Sequence, residues 1–496
     1  MDRYILTQEI KLLPQRLALC GFDSTRAMIK NSELFRHENE YPDFQTELAT
    51  ERLRQAIRYK TISYLDITRI DYGEFDAMHA FLAESYPHIQ KEASWEKIGH
   101  SLLITLEGYE KDLKPALFMA HQDVVPVVEG TEKNWRHGPF SGDLSDGFIW
   151  GRGAMDIKQM LIAEMEALEY CLARGTRPAR TIILAFGEDE ETCSSGARNI
   201  SDLLDKRGIT LEYVLDEGAG EVSDATDWGA PGVLICPIGM YEKGYADMRL
   251  SVKSQGGHSS NPFHGTSLGK LSEAISDIIR HPTEARLAES VRKSLKMLSA
   301  AITEYPMKKW AERPELFEKE ILEWFDHHES LYHLTRTTIA PTMISPGSPA
   351  GNVMPQDMSA VINFRLIPQD TPENLMRHFR RIVSKDIDLS WEQKISASVP
   401  SETESLGFQR LKDVLEHFFD RLIFLPAQNR GATDARQYEK ICRCVMRFGP
   451  FLEEEDISEE GIHGTNERIS VRAFVQGIRV LIRMMEQTCF SMGEIA

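Results

Sequence analysis

Short continuous apolar runs alternate with helical patterns through the first half of the 496-residue chain. The runs ALFMA, IILAF and YVL, which begin at residues 116, 182 and 213, lack the every-second-residue alternation of a half-exposed strand. Between the first two, DIKQMLIAEMEALEYCLARG places apolar residues every three to four positions and ends in glycine, as a helix does. Continuous apolar strands separated by helices predict an α/β fold with a mostly parallel sheet that helices cover on both faces.

A different pattern begins near Lys243. The stretches GYADMRLSVKS and MSAVINFRL alternate apolar with polar residues, which is typical of half-exposed strands, and helical segments lie between them. We therefore predict an inserted α+β domain over residues 244–366. It divides a larger domain into two parts, residues 49–243 and 367–496, and a polar extension over residues 1–48 precedes both.

Side chains that bind metals follow three of the predicted strands and begin one helix. They are His121 and Asp123, the acidic run Glu188–Glu191, Asp216 with Glu217, and Asp156 at the helix start. Because ligand sites in open α/β sheets lie beyond the carboxyl ends of the strands, we expect these side chains to converge at one edge. Converging carboxylates repel one another, and a pair of divalent cations would offset that repulsion. The alternative is a set of separate helix caps and salt bridges.

Charge and cysteine content narrow the classes of partner and the compartment. A formal net charge of -19 argues against nucleic acid and anionic membranes as partners, because both bind basic surfaces. No apolar run approaches the roughly 18 residues of a membrane span. The seven cysteines are scattered, and the N-terminus lacks the continuous apolar segment of a secretion signal. We therefore predict reduced thiols and a cytoplasmic location.

Ten motifs occur in a fixed order from about Arg52 to the C-terminal helix: MAHQDVVPV, PFSGDLSDGFIWGRGAMDIK, GEDEE, VLDEG, EKG, GGHSSNP, GNVMP, INFRLIP, GATDAR and IHGTNERIS. In these motifs the chain resembles the dinuclear zinc aminopeptidase/carboxypeptidase family, which includes carboxypeptidase S, carboxypeptidase G, aminoacylase-1 and the N-fatty-acyl-amino-acid hydrolases. It is most similar to the carboxypeptidase S and N-acyl-amino-acid hydrolase branch. The resemblance implies two Zn²⁺ per chain, with Co²⁺ or Mn²⁺ as alternatives. It also implies that the inserted domain is a lid through which two chains form a homodimer.

The resemblance also implies a set of metal ligands. His121 and Asp216 correspond to ligands of one zinc, and Glu191 and His463 to ligands of the other. Asp156 corresponds to the carboxylate that bridges both ions, and its peptide bond to the next residue is cis in many relatives.

Further roles follow from the same resemblance. Asp123 would hold the imidazole of the first histidine ligand in its metal-binding tautomer, and Glu190 would be the general base. His258 in the inserted domain would reach the oxyanion, often from the partner subunit. Asn352 and Arg436 match positions that contact substrate, where a guanidinium suits a free carboxylate.

The function that these residues imply is hydrolysis of an amide or peptide bond next to a free carboxylate. The substrate would be a small peptide or an N-acyl amino acid. Two alternatives stay open: a dipeptidase or deacetylase of a biosynthetic N-acyl amino acid, and a non-catalytic, metal-free relative. The chain departs from its branch at Glu188, where histidine is common, and at Ser194, where glycine is usual.

Overall fold

Nine strands form the large sheet of the computed structural model, which describes residues 34–490 apart from 219, 263, 264, 349, 430 and 454–460. Most of the predicted extension over residues 1–48 lies outside the described residues. Within them the strands are β1 (Ser94–Ile98), β2 (Ser101–Leu106), β3 (Ala116–His121), β4 (Asp143–Ser145), β5 (Phe148–Trp150), β6 (Ile182–Gly187), β7 (Tyr213–Asp216), β8 (Ser223–Ala225), β9 (Ala230–Glu242), β10 (Gly244–Val252), β11 (Gly257–His258), β12 (Thr338–Ser345), β13 (Val353–Met354), β14 (Met358–Leu366), β15 (Asp388–Ile395), β16 (Leu422–Asn429), β17 (Val445–Arg447) and β18 (Arg468–Ser470).

The middle of the large sheet is parallel. Its strands follow the order β1-β2-β6-β3-β7-β17-β9-β16, and β8 pairs with β9. Strands β6, β3, β7 and β17 run in the same direction, as do β9 and β16, whereas β1 and β2 add an antiparallel edge. This arrangement confirms the predicted α/β fold. It also places the carboxyl ends of β6, β3 and β7 side by side.

Helices cover the large sheet, and α4 is the most deeply buried of them because it lies between β3 on one side and α1 and α13 on the other. No helix in the described part of the chain is both long and apolar enough to cross a membrane. The helices are α1 (Thr46–Arg58), α2 (Tyr72–Ser85), α3 (Pro87–Glu92), α4 (Lys158–Ala173), α5 (Ser195–Lys206), α6 (Ser267–Arg280), α7 (Glu289–Leu298), α8 (Met307–Glu312), α9 (Glu318–Phe325), α10 (Glu329–Tyr332), α11 (Pro372–Arg380), α12 (Leu406–Phe418) and α13 (Val471–Met485).

The inserted domain, called the lid below, is a four-stranded antiparallel sheet in the order β12-β14-β10-β15. Its separate apolar core combines the sheet with α6 and α11. The predicted boundary at residue 366 is therefore wrong, because α11 and β15 follow that residue and belong to this core. Strand β15 pairs directly with β10. The sequence did not indicate that β15 belongs to the lid, because alternating strands have the same pattern whichever sheet they join.

The helical segment inside the insertion belongs to the other core. Leu295 of α7, Trp310 of α8 and Phe325 of α9 are buried in the apolar cluster of the large sheet. Helix α7 packs against β16 rather than on the lid. Helical periodicity shows which face of a helix is apolar but not which core that face joins. The lid is thus made of two chain segments that flank a helical region packed on the larger domain.

Candidate metal centre

Three neighbouring parallel strands deliver their terminal side chains to one edge of the large sheet. His121 is the last residue of β3, Glu190 and Glu191 follow β6, and Glu217 follows β7. Asp156 reaches the same edge from the loop before α4, and its peptide bond to Ile157 is cis. The convergence that the sequence pattern predicted is therefore present.

Asp156 lies between two histidines. Its Oδ1 is 3.1 Å from Nε2 of His121, and its Oδ2 is 3.0 Å from Nε2 of His463. Each histidine faces one more carboxylate: Glu217 Oε1 lies 3.5 Å from His121, and Glu191 Oε2 lies 3.0 Å from His463. Two three-residue groups that could each hold a metal ion therefore share Asp156.

Glu217, rather than the predicted Asp216, is the carboxylate that faces His121 at the end of β7. Asp216 turns away from His121: its Oδ2 accepts a hydrogen bond from the backbone N–H of Ala435 at 2.9 Å. Its Oδ1 accepts the backbone N–H of Glu217 at 2.8 Å. Successive side chains of a strand point to opposite faces, so only one of two adjacent carboxylates can face the histidine. Spacing alone could not decide which, although both residues stand in the motif VLDEG.

Asp123 holds several parts of the centre together. Its carboxylate accepts hydrogen bonds from the hydroxyl of Ser63 at 2.6 Å and from the N–H groups of Glu190 and Glu191 at 3.1 and 3.2 Å. Its carbonyl oxygen lies 2.9 Å from Nδ1 of His121. A carbonyl can only accept, so Nδ1 carries the hydrogen and Nε2 is left to face the other carboxylates.

Burial and close contacts between titratable groups raise several pKa values at this edge. Burial, and then the neighbouring charge of Asp156, raise the pKa of Glu217 to about 8. Burial also raises the pKa of Glu190 well above its ordinary range, although His121 opposes the shift. Hydrogen bonds to Asp156 and Glu191 raise the pKa of His463 to about 10. A bound dication would relieve this repulsion and favour the charged carboxylates and the neutral imidazoles.

The donor set fits a pair of borderline-soft divalent ions. Each three-residue group offers one imidazole nitrogen and two carboxylates, which are ligands that Zn²⁺ takes in catalytic sites with an open position. A carboxylate with one oxygen towards each group is the arrangement that a bridging ligand requires. Glu190 belongs to neither group, so its side chain is available for proton transfer.

A buried ion pair joins the two loops that carry Asp156 and His463. Nη1 of Arg152 lies 2.5 Å from Oε2 of Glu467, and both side chains are almost fully buried. Nη2 of the same guanidinium donates to the carbonyl oxygens of His463 and Gly464 at 3.1 and 3.2 Å. Oε1 of Glu467 accepts the N–H of Asp156 at 3.2 Å. Neither residue was predicted to have a role, although they stand in the motifs GRGAMDIK and IHGTNERIS.

Glu188, the departure from the family branch, points away from the centre. Its carboxylate accepts a hydrogen bond from the hydroxyl of Ser101 at the start of β2 and lies against Gly99 in the preceding turn. Burial raises its pKa. The next residue, Asp189, accepts the N–H of Gly196 at 2.8 Å and so supports the start of α5. Three of the four consecutive acids, Glu188, Asp189 and Glu191, therefore have separate side-chain partners.

The predicted oxyanion residue His258 and the predicted substrate residues Asn352 and Arg436 lie on other elements. His258 and Asn352 come together in the lid, where β11 pairs with β13 and the N–H of Ser259 donates to the carbonyl of Asn352 at 3.0 Å. Arg436 lies on the short 3₁₀ helix Asp434–Tyr438, next to Asp216. One guanidinium nitrogen donates to the carbonyl of Ser396 at 2.6 Å.

Comparison with known proteins places these observations in a family. The family described as Peptidase family M20/M25/M40 matches residues 117–487. Probable carboxypeptidase S-like 2 of Dictyostelium discoideum is 33% identical over 452 residues, which cover 89% of this chain and 85% of that protein. The human N-fatty-acyl-amino acid synthase/hydrolase PM20D1 is 31% identical over 448 residues, 88% of this chain and 87% of that protein.

A solved structure shares the fold. The M20 family metallo-carboxypeptidase Sso-CP2 from Sulfolobus solfataricus superposes with a TM-score of 0.60 at 19% identity, covering 88% of this chain and 98% of that one. Identity at this level shows the fold alone.

Proposed function

The chain belongs to peptidase family M20/M25/M40 and is a metal-dependent hydrolase of that family, and on this premise we propose its substrate and metal content. It hydrolyses an amide or peptide bond next to a free carboxylate, as a carboxypeptidase or an N-acyl-amino-acid amidohydrolase. Its relatives support this choice, since they include a probable carboxypeptidase S-like protein and an N-fatty-acyl-amino acid synthase/hydrolase. Two Zn²⁺ per chain, or Co²⁺ or Mn²⁺ in their place, are the proposed cofactors.

The position of Asp156 carries the proposal. Its two oxygens face His121 and His463 at 3.1 and 3.0 Å, and each histidine has its own second carboxylate. A pair of ions held there would polarise the scissile carbonyl and supply a water of lowered pKa. The protein side of the reaction then needs one free base beside that water.

Glu190 is the proposed base. Its backbone is fixed by the hydrogen bond to Asp123, and its carboxyl belongs to neither three-residue group, so it is free to carry a proton. It takes a proton from the attacking water and gives the same proton to the leaving amine nitrogen. Glu191, the adjacent residue, faces His463 and serves as a ligand.

Arg436 is the proposed partner of the substrate carboxylate. Its guanidinium is anchored by the carbonyl of Ser396 and lies 3.6 Å from Glu242. These contacts occupy only part of its five donors, and the planar fork can bind a carboxylate in a bidentate manner.

Substitution of the base tests the proposal. Glu190→Gln should keep both metal ions and lose hydrolysis by about 10²–10⁴-fold, because only the proton carrier is removed. Metal content would be measured by mass spectrometry and activity on a panel of dipeptides and N-acyl amino acids. If the variant hydrolyses at the wild-type rate, Glu190 is not the base.

The free carboxylate is tested with the same panel. Each substrate is compared with its C-terminal carboxamide, and kcat/KM should fall at least about tenfold for the carboxamide, since a charge-assisted bidentate contact is lost. Arg436→Met should abolish this preference, whereas Arg443→Met, which changes a highly exposed arginine, should retain it. Equal rates on both substrate forms would contradict the proposed specificity.

We further propose that two chains form a homodimer through the lid. Strand β12 is an edge of the lid sheet, and its Met343 and Ile344 are 63% and 53% exposed. An apolar edge strand favours pairing with another chain. The cytoplasmic location predicted from the sequence stays a proposal beside it.

A further inference from the structure

A third group of metal-binding side chains lies apart from the candidate metal centre. It consists of His37 and Glu40, which precede α1, and His417, in the last turn of α12. One ligand atom from each lies within 4.8 Å of the other two. Nε2 of His417 is 2.6 Å from Oε2 of Glu40, and the ring of His37 stacks on that of His417 with centroids 4.3 Å apart.

Backbone hydrogen bonds beside this group join the two chain segments that carry its side chains. The N–H of Arg36 donates to the carbonyl of Phe418 at 2.6 Å, and the N–H of Asp420 donates to the carbonyl of Leu34 at 2.7 Å. Phe35 forms a bridge with Phe419 and stacks on Phe418. The segment that carries His37 is thus fastened beside the end of α12, far along the chain.

The carboxylate of Glu40 is oriented by a cation on its other oxygen. Nη1 of Arg483, in α13, donates to Oε1 at 2.6 Å, while Oε2 faces His417. Carboxylates that bind metals are commonly hydrogen-bonded in this way on the oxygen that does not contact the ion. The pair with Arg483 therefore leaves Oε2 as the ligand atom.

We propose that His37, Glu40 and His417 bind an additional divalent transition-metal ion, with Zn²⁺ as the probe. Two imidazoles and a carboxylate are a known zinc donor set, and water completes the tetrahedron. Donors around such an ion lie about 3.3 Å apart, given bonds of about 2.0–2.1 Å. The 2.6 Å pair of His417 and Glu40 must therefore open by about 0.7 Å through rotation of these two half-buried side chains. The exposed His37 must turn out of its stack so that a ring nitrogen faces the ion. The ion clips the N-terminal segment to α12.

Metal stoichiometry tests the site in the full chain. Metal-free protein is dialysed against buffered Zn²⁺, and the bound ions are counted by mass spectrometry. The wild type should bind one ion more per chain than His417→Gln. His37→Asn should show the same loss, and asparagine suits the left-handed backbone at φ 59°. His327→Gln, at an exposed histidine outside the group, is the matched control and should keep the wild-type content.

Hydrolysis separates this proposal from the proposed function. The variants His417→Gln and His37→Asn should keep wild-type kcat/KM, since the group does not contain Asp156, Glu190 or their partners. Failure of the metal centre would instead lower the ion count and the activity of every variant alike, while the difference of one ion persists. Equal Zn²⁺ content in the wild type, His417→Gln and His37→Asn would overturn the proposed site.

Discussion

At the scale of single residues, the finding that Glu217 rather than Asp216 faces His121 has the most direct consequence for metal binding. Glu217 faces His121 at 3.5 Å, whereas Asp216 is hydrogen-bonded to the backbone of Ala435. Glu217→Ala should therefore lose about one metal ion per chain and nearly all hydrolysis, because a ligand is removed. Asp216→Asn should keep both ions, with metal affinity weakened by no more than about 10–100-fold.

The measurement is metal content after dialysis, with Asp216→Asn as the matched control for an adjacent carboxylate. Full metal content in Glu217→Ala together with loss from Asp216→Asn would restore the assignment made from the sequence. The predicted ligand Asp216 is adjacent to Glu217, the carboxylate that faces His121. The sequence does not distinguish the two neighbours, because which one faces the histidine depends on the direction of each side chain at the end of β7.

His79 on α2 gives a pH dependence of stability. Its Nε2 donates to Oε1 of Gln122 at 2.5 Å, and burial lowers its pKa below the ordinary 6.5, although that hydrogen bond opposes the shift. As the pH falls below 6.5, His79 becomes protonated in the unfolded chain before it does so in the folded chain. The free energy of unfolding therefore falls as the pH drops below 6.5, by up to about 1.4 kcal/mol per pH unit for this one group.

His79→Gln removes this titration and keeps a side chain that can contact Gln122. Its free energy of unfolding, measured by urea denaturation between pH 7.5 and pH 5, should fall less steeply than that of the wild type. Identical slopes would show that His79 takes up its proton equally in both states.

At the scale of elements, the ion pair Arg152–Glu467 couples two loops that are 315 residues apart in the chain. Glu467 accepts the N–H of Asp156 while Arg152 holds the carbonyl of His463. Glu467→Gln should weaken metal binding by about 10–100-fold, because it alters the acceptor of the Asp156 N–H and removes the carboxylate that fixes the guanidinium on His463. It should also lower the free energy of unfolding by about 3–5 kcal/mol, since a buried guanidinium is left unpaired.

A second buried pair separates these two effects. Arg52 and Glu166 join α1 to α4, and their side chains are 15% and 6% exposed. Glu166→Gln should lower stability without changing metal affinity, measured by competition with a chelator below the unfolding temperature. Equal metal affinity in Glu467→Gln and the wild type would show that the pair near the centre supports only the fold.

Three strands of the large sheet could be predicted from the sequence, whereas the pairing of its other strands could not. The runs that became β3, β6 and β7 are continuously apolar because parallel strands are buried on both faces. The lid boundary failed at β15, whose alternation resembles that of any half-exposed strand. The contact of Arg152 with Glu467 was equally hidden, because no local pattern records a pairing between distant loops.

At the scale of the whole molecule, the change of hydrophobic pattern near Lys243 predicted the two-part architecture, and the separate cores of the large sheet and the lid agree with it. The motifs could not predict which core the helices α7–α9 join. Their apolar faces pack against the large sheet, so these helices are not part of the lid. The lid is formed by the chain segments before and after them. Relative placement of cores depends on surface complementarity that a single sequence does not reveal.

The proposed dimer makes a prediction that only two whole chains can fulfil. His258 is exposed on the two-stranded ribbon that β11 and β13 form in the lid, and in the proposed dimer it acts in the partner's centre. Glu190→Gln and His258→Ala should each be nearly inactive, yet an exchanged equal mixture should regain about a quarter of wild-type activity, since half of the dimers are mixed and each has one complete centre. Mixing Glu190→Gln with Glu191→Ala is the matched control, because both defects fall in the same chain's centre and no complete centre forms. Activity in both mixtures, or in neither while light scattering shows exchanged dimers, would place His258 within its own chain's site or outside catalysis.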